Sequence, residues 1–428
     1  MRYSFELNYN EADIAKMGIH NQASQYKDCS DMENTLNTRG YRLDNIDMLR
    51  GLVIVIMALD HVRDYFMAGT EQDPMTDPEV SAALFFTRWV SHFCAPVFVF
   101  LSGTSAGLMQ ARKSKLALGS FLFKRGCWLI IVEMLLISTA WTFSPGGIAQ
   151  VQGLVLIPMQ VIWVIGASMV ALAAFQFLGA RICLIIGLVI IAGHNTLDLF
   201  WPVTKIFDQD APWWVALHGQ ASYAIGPVLL VFAYPLLPWI GVILLGFGAT
   251  AIFEKIPEQR DKQLILSGLV FIALFILLRS ADVYGDPNPW ELQGDPIRTI
   301  IDFLNISKYP PSLLFVLITL GGAALLCAYA SRIPTAIKKP LVTFGRAPFA
   351  FYVAHLYLIH ALSVVLGVYQ GFEVNQMLTI MFFYPKGFGI SLFGVYAVWL
   401  GIVIALYPFS KWVVSVKMRR KDWWLSYV

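Results

Sequence analysis

The chain has 428 residues, of which 57% are hydrophobic and 14% are charged, and its formal net charge is +3. With a mean hydropathy of +0.63, this composition excludes a soluble globular fold, and the small net charge gives no indication of nucleic-acid binding. We predict an all-α protein, a polytopic transmembrane helical bundle in the lipid bilayer.

The first 43 residues are polar and mixed in charge. Glu6, Glu11, Asp13 and Lys16 interrupt any apolar stretch that could act as a secretory signal. We interpret residues 1–43 as a polar cytosolic N-terminal tail with at most a short surface helix. A single transmembrane domain is predicted to occupy residues 44–428.

Ten later stretches approach the length of about 20 apolar residues that a helix needs to cross the bilayer. They are residues 46–66, 85–110, 119–141, 153–176, 181–194, 228–253, 263–279, 311–331, 345–369 and 390–413. The fifth is short, and the sixth contains Pro235 and Pro238, which should kink or divide it. We therefore expect about ten spans.

Lysine and arginine residues are concentrated in alternate loops, and this sets the predicted orientation. They follow the second, fourth, sixth and eighth spans and close the chain, at residues 112–115, 181, 255–262, 332–339 and 417–421. The intervening loops are neutral or acidic. The pattern predicts cytosolic termini and suits a multi-pass protein of the bacterial inner (plasma) membrane.

Two loops on the predicted opposite side are long and aromatic. Residues 195–227 contain three tryptophans and His218, and residues 280–310 contain Trp290 with two tyrosines. Trp and Tyr side chains often anchor a protein at the headgroup level. The alternative is that the loops form a lid over an acceptor site.

The first span carries a polar stripe through apolar sequence. Asp47, Arg50, His61 and Asp64 follow helical spacing, and Arg50 and His61 lie on nearly one face, roughly 16 Å apart along the axis. Ionisable groups at membrane depth are costly and often functional. Arg50 could bind a phosphate or carboxylate, and His61 could act as a general base. Asp64, one turn further on, could orient the His61 ring. The side chain of Asp60 points about 100° away from that of His61 on a helix. The structural alternative is that Arg50 extends to the interface and His61 bridges neighbouring helices.

The second span repeats this arrangement. Arg88, His92 and Ser102 share one face, with Pro96 as a predicted kink. His92 could complete a proton relay with His61 or make a structural hydrogen bond. Ser102 and the small residues beside it favour close helix packing. Asp60, Arg88 and Ser102 are our candidates for binding the acceptor substrate.

Further polar residues lie at membrane depth, namely Glu133, Gln160, Arg346, His355 and His360. Glu133 is expected to find its partner on another helix. The two histidines are five residues apart, so at most one of them should reach a common cavity. We see no nucleotide-binding P-loop, hydrolase elbow, zinc-protease motif or internal repeat in the sequence.

The five cysteines show no spacing typical of a disulfide framework or metal site. They are Cys29, Cys94, Cys127, Cys183 and Cys327. Four of them lie in apolar runs and are predicted to be buried free thiols. We expect no metal.

Several blocks of sequence together resemble the heparan-alpha-glucosaminide N-acetyltransferase catalytic-domain family and its bacterial relatives. The blocks are residues 45–51, 95–105, 309–312, 345–348, 352–360 and 422–427, so the resemblance extends over nearly everything after residue 43. In the wider transmembrane acyltransferase superfamily, an Arg and a His with ten residues between them lie on the first helix, as Arg50 and His61 do here.

The resemblance implies a transmembrane acyltransferase-like domain that moves an acyl group, expected to be acetyl, from cytosolic acyl-CoA to a hydroxyl or amine. It implies acetyl-CoA or another acyl-CoA as co-substrate, bound by Arg50 and Arg346, and a saccharide-like or other small-molecule acceptor. It also allows a homodimer. His61, Asp64 and His92 are the expected catalytic residues.

One feature departs from the family pattern. The lysosomal enzyme of the family has an Asn at the position of His61 and its catalytic His in the following loop, whereas residues 67–84 of this chain contain no histidine. The catalytic role is therefore expected to fall to His61. The alternatives to an acyltransferase are a proton-coupled transporter or exporter of a small anionic solute and a membrane scaffold, which would leave the polar stripe unexplained.

Overall fold

The computed structural model describes residues 22–69, 74, 75, 77, 79–200, 212–420, 422 and 425, with side chains from residue 44 onward. The chain divides into two compact units, residues 1–44 and 45–428. About half of the predicted tail, residues 1–21, lies outside the described residues, and the described backbone starts with a helix at Gln22.

The helices in the first half of the chain are α1 (Gln22–Phe66), α2 (Ala82–Trp89), α3 (Cys94–Gln110), α4 (Lys115–Val132), α5 (Ser138–Thr142), α6 (Val161–Phe175), α7 (Ala180–Gly193) and α8 (Pro212–Leu217). A π-helical turn, Glu133–Ile137, joins α4 to α5. Short 3-10 turns occupy Val90–Phe93, Ala149–Val151, Gln176–Leu178 and His194–Leu199.

The second half continues with α9 (Leu236–Gly248), α10 (Thr250–Phe253), α11 (Pro257–Ala281), α12 (Pro296–Leu304), α13 (Leu313–Tyr329), α14 (Thr335–Arg346), α15 (Pro348–Tyr369), α16 (Val374–Met377) and α17 (Leu392–Arg419). Two 3-10 turns, Ala330–Arg332 and Met381–Phe383, complete the described helical structure.

Eight helical segments of the described residues are long and apolar enough to cross a membrane. They are Ala82–Gln110, Val161–Leu178, Ala180–Leu199, Leu236–Phe253, Pro257–Ala281, Leu313–Arg332, Pro348–Tyr369 and Leu392–Arg419. Each coincides with a predicted span, which confirms a multi-pass helical bundle. The other two predicted spans fall in α1 and in α4–α5, whose charged residues make them less apolar. The count of ten and the side of the termini stay predictions.

A three-stranded sheet accompanies the helices and was not expected from the sequence. Its strands are β1 (Val155–Met159), β2 (Ala221–Ile225) and β3 (Val228–Phe232), in the order β1-β3-β2. β1 runs parallel to β3, and β2 is antiparallel to it. The predicted spans 153–176 and 228–253 therefore began too early, because an apolar strand next to an apolar helix reads as one long hydrophobic run.

Two prolines mark where the second of these runs changes structure. The strand β3 ends at Phe232, and α9 begins directly after Pro235 with Pro238 as its third residue. N–H groups in the first helical turn have no intrahelical acceptor, so proline is tolerated there. The predicted division of this span is confirmed, with a strand on one side of it.

The charged helix α1 lies inside the bundle. Met48, Ala58 and Val62 are fully buried, whereas only 22% of the apolar stretch of α11 and 17% of that of α17 are buried. α11 and α17 therefore present most of their surface outward, while α1 packs among other helices. Ionisable groups at membrane depth usually face a bundle interior in this way.

Two glycines bring α1 and α14 into backbone contact. A Cβ on Gly51 would lie 1.8 Å from the main-chain oxygen of Leu341, and a Cβ on Gly345 would lie 1.7 Å from that of Asp47. Any larger residue would have to push the helices apart, because backbone atoms cannot swing away as a side chain can. Gly51 follows Arg50 and Gly345 precedes Arg346, so this contact sets the distance between the two arginines.

We predict that Gly345→Ala lowers stability by about 1–3 kcal/mol, the usual cost of overpacking a core. The matched control is Gly401→Ala on α17, because a Cβ there meets nothing within 4 Å. The measurement is the midpoint of thermal unfolding in detergent, followed by tryptophan fluorescence. Equal midpoints for the two variants would show that the α1–α14 contact can relax.

Candidate functional site

A cavity of about 550 Å³ lies beside α1. Asp47, Arg50, Ile54 and Met57 line it from α1, with the spacing of one helical face. The other walls come from α3, α4, α6, α14, α15 and α17, so the cavity is enclosed by helices that are distant in sequence. Its side chains include Phe98, Ser102, Ser105, Met109, Phe121, Arg125, Leu129, Ile165, Met169, Arg346, Phe349, Tyr352 and Lys417.

Only a few of the side chains that line the cavity are charged, and four of these are cationic. Arg50, Arg125, Arg346 and Lys417 face it together with the carboxylate of Asp47. Four positive groups against one negative group give the lining an excess of positive charge that favours anions. We call these four residues the cationic cluster.

Asp47 holds two members of the cationic cluster in place. Nη1 of Arg50 donates to one carboxylate oxygen of Asp47 at 3.0 Å, and Nε of Arg346 donates to the other at 3.2 Å. Arg50 also donates to the main-chain oxygen of Gly345 at 3.3 Å and to Oγ of Ser105 at 3.2 Å. The Arg346 side chain is 44% exposed, so this end of the cavity is open.

The rest of the cavity is mainly apolar. Phenylalanine, methionine, leucine and isoleucine side chains dominate the wall beyond the cationic cluster, with Met57 and Tyr352 at the end nearer to His61. Ser102 lines this wall, and its hydroxyl donates to the main-chain oxygen of Phe98 at 2.8 Å on its own helix. A charged opening that leads into an apolar chamber suits a ligand with an anionic end and an uncharged tail.

His61 lies one helical turn beyond Met57 and is 8% exposed. It does not line the cavity itself, but its ring contacts Tyr352, which does, with the ring centres 6.2 Å apart. The rings of Trp141 and His61 meet edge to face, with their centres 4.9 Å apart. The His355 ring lies nearly parallel to that of His61, with the ring centres 5.0 Å apart, and Nδ1 of His61 is 2.8 Å from Nε2 of His355.

The hydrogen bonds of this histidine pair assign the tautomer of each neutral ring. Nδ1 of His355 lies 3.0 Å from the main-chain oxygen of Phe351, which can only accept, so Nδ1 of His355 carries its proton. Nε2 of His355 is then an acceptor, and Nδ1 of His61 must donate to it. The lone pair of His61 is therefore on Nε2, which no described residue hydrogen bonds.

Asp60 lies at the centre of a buried ion cluster. Its carboxylate is 3.2 Å from Nη1 of Arg88, 2.9 Å from Nη1 of Arg63 and 3.9 Å from Nζ of Lys308. Asp60 and Arg88, both predicted to bind the acceptor, thus bind each other. Three cations thus surround the carboxylate of Asp60, the residue that directly precedes His61 in the sequence.

The structure places the two other predicted catalytic residues apart from the His61 ring. The Asp64 carboxylate pairs with its neighbour Arg63, and His355 occupies the orienting position predicted for Asp64. His92 is buried against Phe315, and neither of its ring nitrogens has a hydrogen-bond partner among the described residues. No hydrogen bond within the described residues connects His92 to His61, so the relay stays a prediction.

Glu133 has its expected partner on another helix. Its Oε2 accepts the main-chain N–H of Trp163 at 2.7 Å, in the first turn of α6. This N–H belongs to the helix N-terminus, where an anionic acceptor is favourable. His360 contacts main-chain oxygens of Ala140 and Met377 and lies outside the cavity lining. Of the two histidines on α15, only His355 contacts the His61 ring, and neither lines the cavity.

Sequence reasoning missed several residues of this site. Lys417 belonged only to the positive loop pattern, Arg125 lies inside a predicted span and was not among the candidate site residues, and Trp141 and Tyr352 resembled ordinary membrane aromatics. These side chains meet through contacts between distant helices, which no local spacing encodes. His355 was the residue that the sequence could have assigned to the site, because an imidazole at membrane depth requires a polar partner.

The cysteines are free where the structure describes them. Cys94, Cys183 and Cys327 are buried, as predicted, and Cys127 is partly buried. The side chain of Cys29 lies outside the described part of the chain. No group of metal-ligating side chains occurs among the described residues.

We predict that Asp60→Asn destabilises the protein by about 3–5 kcal/mol, because it leaves three buried cations without their shared counter-ion. Asp64→Asn is the matched control, since the Asp64 side chain is 22% exposed and pairs with Arg63. Its loss should be much smaller. The unfolding midpoints of the two variants in detergent test this, and similar midpoints would contradict a structural role for the ion cluster.

Comparison with known proteins supplies the family. A comparison with curated proteins gives no match. Residues 42–281, more than half of the chain, match the family described as heparan-alpha-glucosaminide N-acetyltransferase, catalytic. The matched region contains Arg50, His61 and Trp141, whereas Arg346, Tyr352 and His355 lie beyond it. The chain therefore belongs to the heparan-alpha-glucosaminide N-acetyltransferase catalytic-domain family, a membrane acetyltransferase-like family.

Proposed function

We propose that the protein transfers an acyl group, most simply acetyl, from acyl-CoA to a hydroxyl or amine of a saccharide-like acceptor. The observation that carries this proposal is the cavity. It joins a cationic cluster to Tyr352, whose ring contacts His61. The family supports acyl transfer, and the cavity adds a place for an anionic donor.

The cationic cluster would bind the phosphates of CoA. Arg50 and Arg346 present donors that are already fixed on Asp47, so little side-chain freedom is lost on binding. A volume of about 550 Å³ falls within the range of ligand pockets, about 300–1,000 Å³. The apolar wall would hold the uncharged arm and direct the thioester toward Met57 and Tyr352.

His61 would act as the general base. Its Nε2 lone pair would take the proton from the acceptor hydroxyl or amine as that group attacks the thioester carbon. The C–S bond then breaks, and the proton returns from His61 to the CoA thiolate. A two-step route, in which His61 itself is acylated first, uses the same nitrogen.

The acceptor would approach from the side of the membrane opposite to the cationic cluster. The positive loops predict that the cluster is cytosolic, and α1 runs from Arg50 through His61 to Asp64. Asp64 lines a small cleft of about 40 Å³ together with Lys386 and Tyr384. We propose the bacterial inner membrane as the location.

The decisive experiment measures acyl-CoA binding and acyl transfer separately. The probes are acetyl-CoA and glucosamine with purified protein in detergent, with binding followed by calorimetry and free CoA thiol by a colorimetric reagent. We expect His61→Ala to bind acetyl-CoA like the unchanged protein and to lose at least about 100-fold in transfer rate. Arg50→Met should instead weaken binding, because it removes a phosphate donor.

Two results would count against the proposal. Absence of acetyl-CoA binding by the unchanged protein would contradict the donor site. Thiol release that is equal in His61→Ala would contradict the role of His61. Flux of a small anion through liposomes, without acetyl-CoA binding, would instead favour the proton-coupled transporter.

His355 would act as a positioning residue for His61. We predict that His355→Leu lowers the transfer rate because Nδ1 of His61 loses its acceptor and the tautomer is no longer fixed. His355→Gln keeps an acceptor oxygen and should recover part of that rate. The measurement is kcat with saturating acetyl-CoA, and equal rates for the Leu and Gln variants would contradict this role.

A further inference from the structure

Two buried hydrogen-bond donors next to His61 lack a well-formed hydrogen bond. The hydroxyl of Tyr352 and the indole N–H of Trp141 each belong to a side chain that is 2% exposed, and neither has a partner at full hydrogen-bond geometry within the described residues. The Trp141 N–H is close enough to the Tyr352 oxygen to interact with it, whereas the Tyr352 O–H has no acceptor within the described residues. A buried donor left without an acceptor costs about 1–3 kcal/mol. Such groups are rare in folded proteins and require an explanation.

The two donors converge on one place. Trp141 and Tyr352 both contact the His61 ring, with ring centres 4.9 Å and 6.2 Å away, and the Trp141 N–H lies within hydrogen-bonding reach of the Tyr352 hydroxyl oxygen. They come from different helices, α5 and α15. Tyr352 also lines the cavity, so this place is where the cavity meets His61.

The surrounding structure holds Trp141 firmly. Tyr65, one turn after His61 on α1, donates to the main-chain oxygen of Trp141 at 2.6 Å, and its ring stacks on Trp141 at 5.8 Å. The indole is thereby fixed relative to His61 before any substrate binds. Fixed donors in a site shielded from water stabilise a developing charge without having to reorganise.

We propose that Tyr352 and Trp141 form an oxyanion hole for the thioester carbonyl of the donor. This inference rests on the proposed acyl transfer and adds two catalytic residues to it. As the acceptor nucleophile bonds to the carbonyl carbon and His61 takes its proton, the C=O electron pair moves onto oxygen. The oxyanion accepts the Tyr352 O–H and the Trp141 N–H until the C–S bond breaks and the carbonyl re-forms.

The same two donors would interact weakly with the ground-state carbonyl and strongly with the oxyanion. Removing one should therefore lower kcat and leave the affinity for acetyl-CoA nearly unchanged. Loss of a single oxyanion-hole donor typically costs about 100-fold or more in kcat. A purely structural role for Tyr352 predicts no such separation between rate and binding.

The test compares Tyr352→Phe with Tyr357→Phe on the same helix. Tyr357 donates to the main-chain oxygen of Leu136 and has no contact with His61, so its loss should leave kcat unchanged. We expect Tyr352→Phe to bind acetyl-CoA normally, to unfold at an unchanged or higher temperature, and to release CoA about 100-fold more slowly in the glucosamine assay.

Trp141→Phe gives a second readout. Its matched control is Trp239→Phe, because Trp239 is equally buried, its N–H also lacks a partner, and its rings in contact are Tyr234 and Phe315. Trp141→Phe should lose rate as Tyr352→Phe does, and Trp239→Phe should not. If one of the two site variants fails to fold, the other carries the test.

The outcomes separate this inference from the proposed function. Activity that is lost in His61→Ala but kept in both Tyr352→Phe and Trp141→Phe overturns the oxyanion hole alone. Weakened acetyl-CoA binding at unchanged kcat also overturns it, since the donors would then act in the ground state. No thiol release by the unchanged protein overturns the proposed function and this inference together.

Discussion

The backbone contact between α1 and α14 at Gly51 and Gly345 is the constraint on which the candidate site depends. A side chain at either position would collide with main-chain oxygen, so only glycine permits this spacing. The contact places Arg50 and Arg346 on the two oxygens of one carboxylate, Asp47. Two cations that would otherwise repel each other are thus held together by packing and by a shared counter-ion. The positive end of the cavity is a consequence of how closely two helices approach.

The membrane explains why the charged side chains of α1 form ion pairs. Inside a bundle there is little water to solvate a charge, and a lone ion would be strongly unfavourable. Asp47 and Asp60 each bind more than one cation, and His61 has a second imidazole as its partner. Against this background, donors without acceptors are informative. Tyr352 and Trp141 differ from the paired groups in that, apart from the approach of the Trp141 N–H to the Tyr352 oxygen, nothing within the described protein accepts their hydrogens.

The sequence predicted the class of fold and the polar face of α1 that carries Arg50 and His61, because both are encoded locally. Apolar runs of about 20 residues identify spans, and helical spacing places Arg50 and His61 on one face. It failed where apolar strands adjoin helices, as at β1 and β3, since hydrophobicity alone does not distinguish them. It also assigned Asp64 to the His61 ring from spacing within one helix. The structure pairs Asp64 with Arg63 and brings His355 from a helix almost 300 residues later, a contact that local periodicity cannot encode.

The histidine pair also constrains the chemistry. A carboxylate beside His61 would stabilise its protonated form and leave a charged pair in the membrane interior. A neutral imidazole instead fixes the tautomer without adding charge, because its own proton is committed to the oxygen of Phe351. In the proposed reaction, the proton that His61 accepts would have to leave quickly, and the CoA thiolate produced in the same step would be the nearest base. A histidine that is held in one orientation, and whose cation is only weakly stabilised, therefore suits the proposed proton transfer. It would take the proton from the acceptor and pass it to the CoA thiolate in the same site.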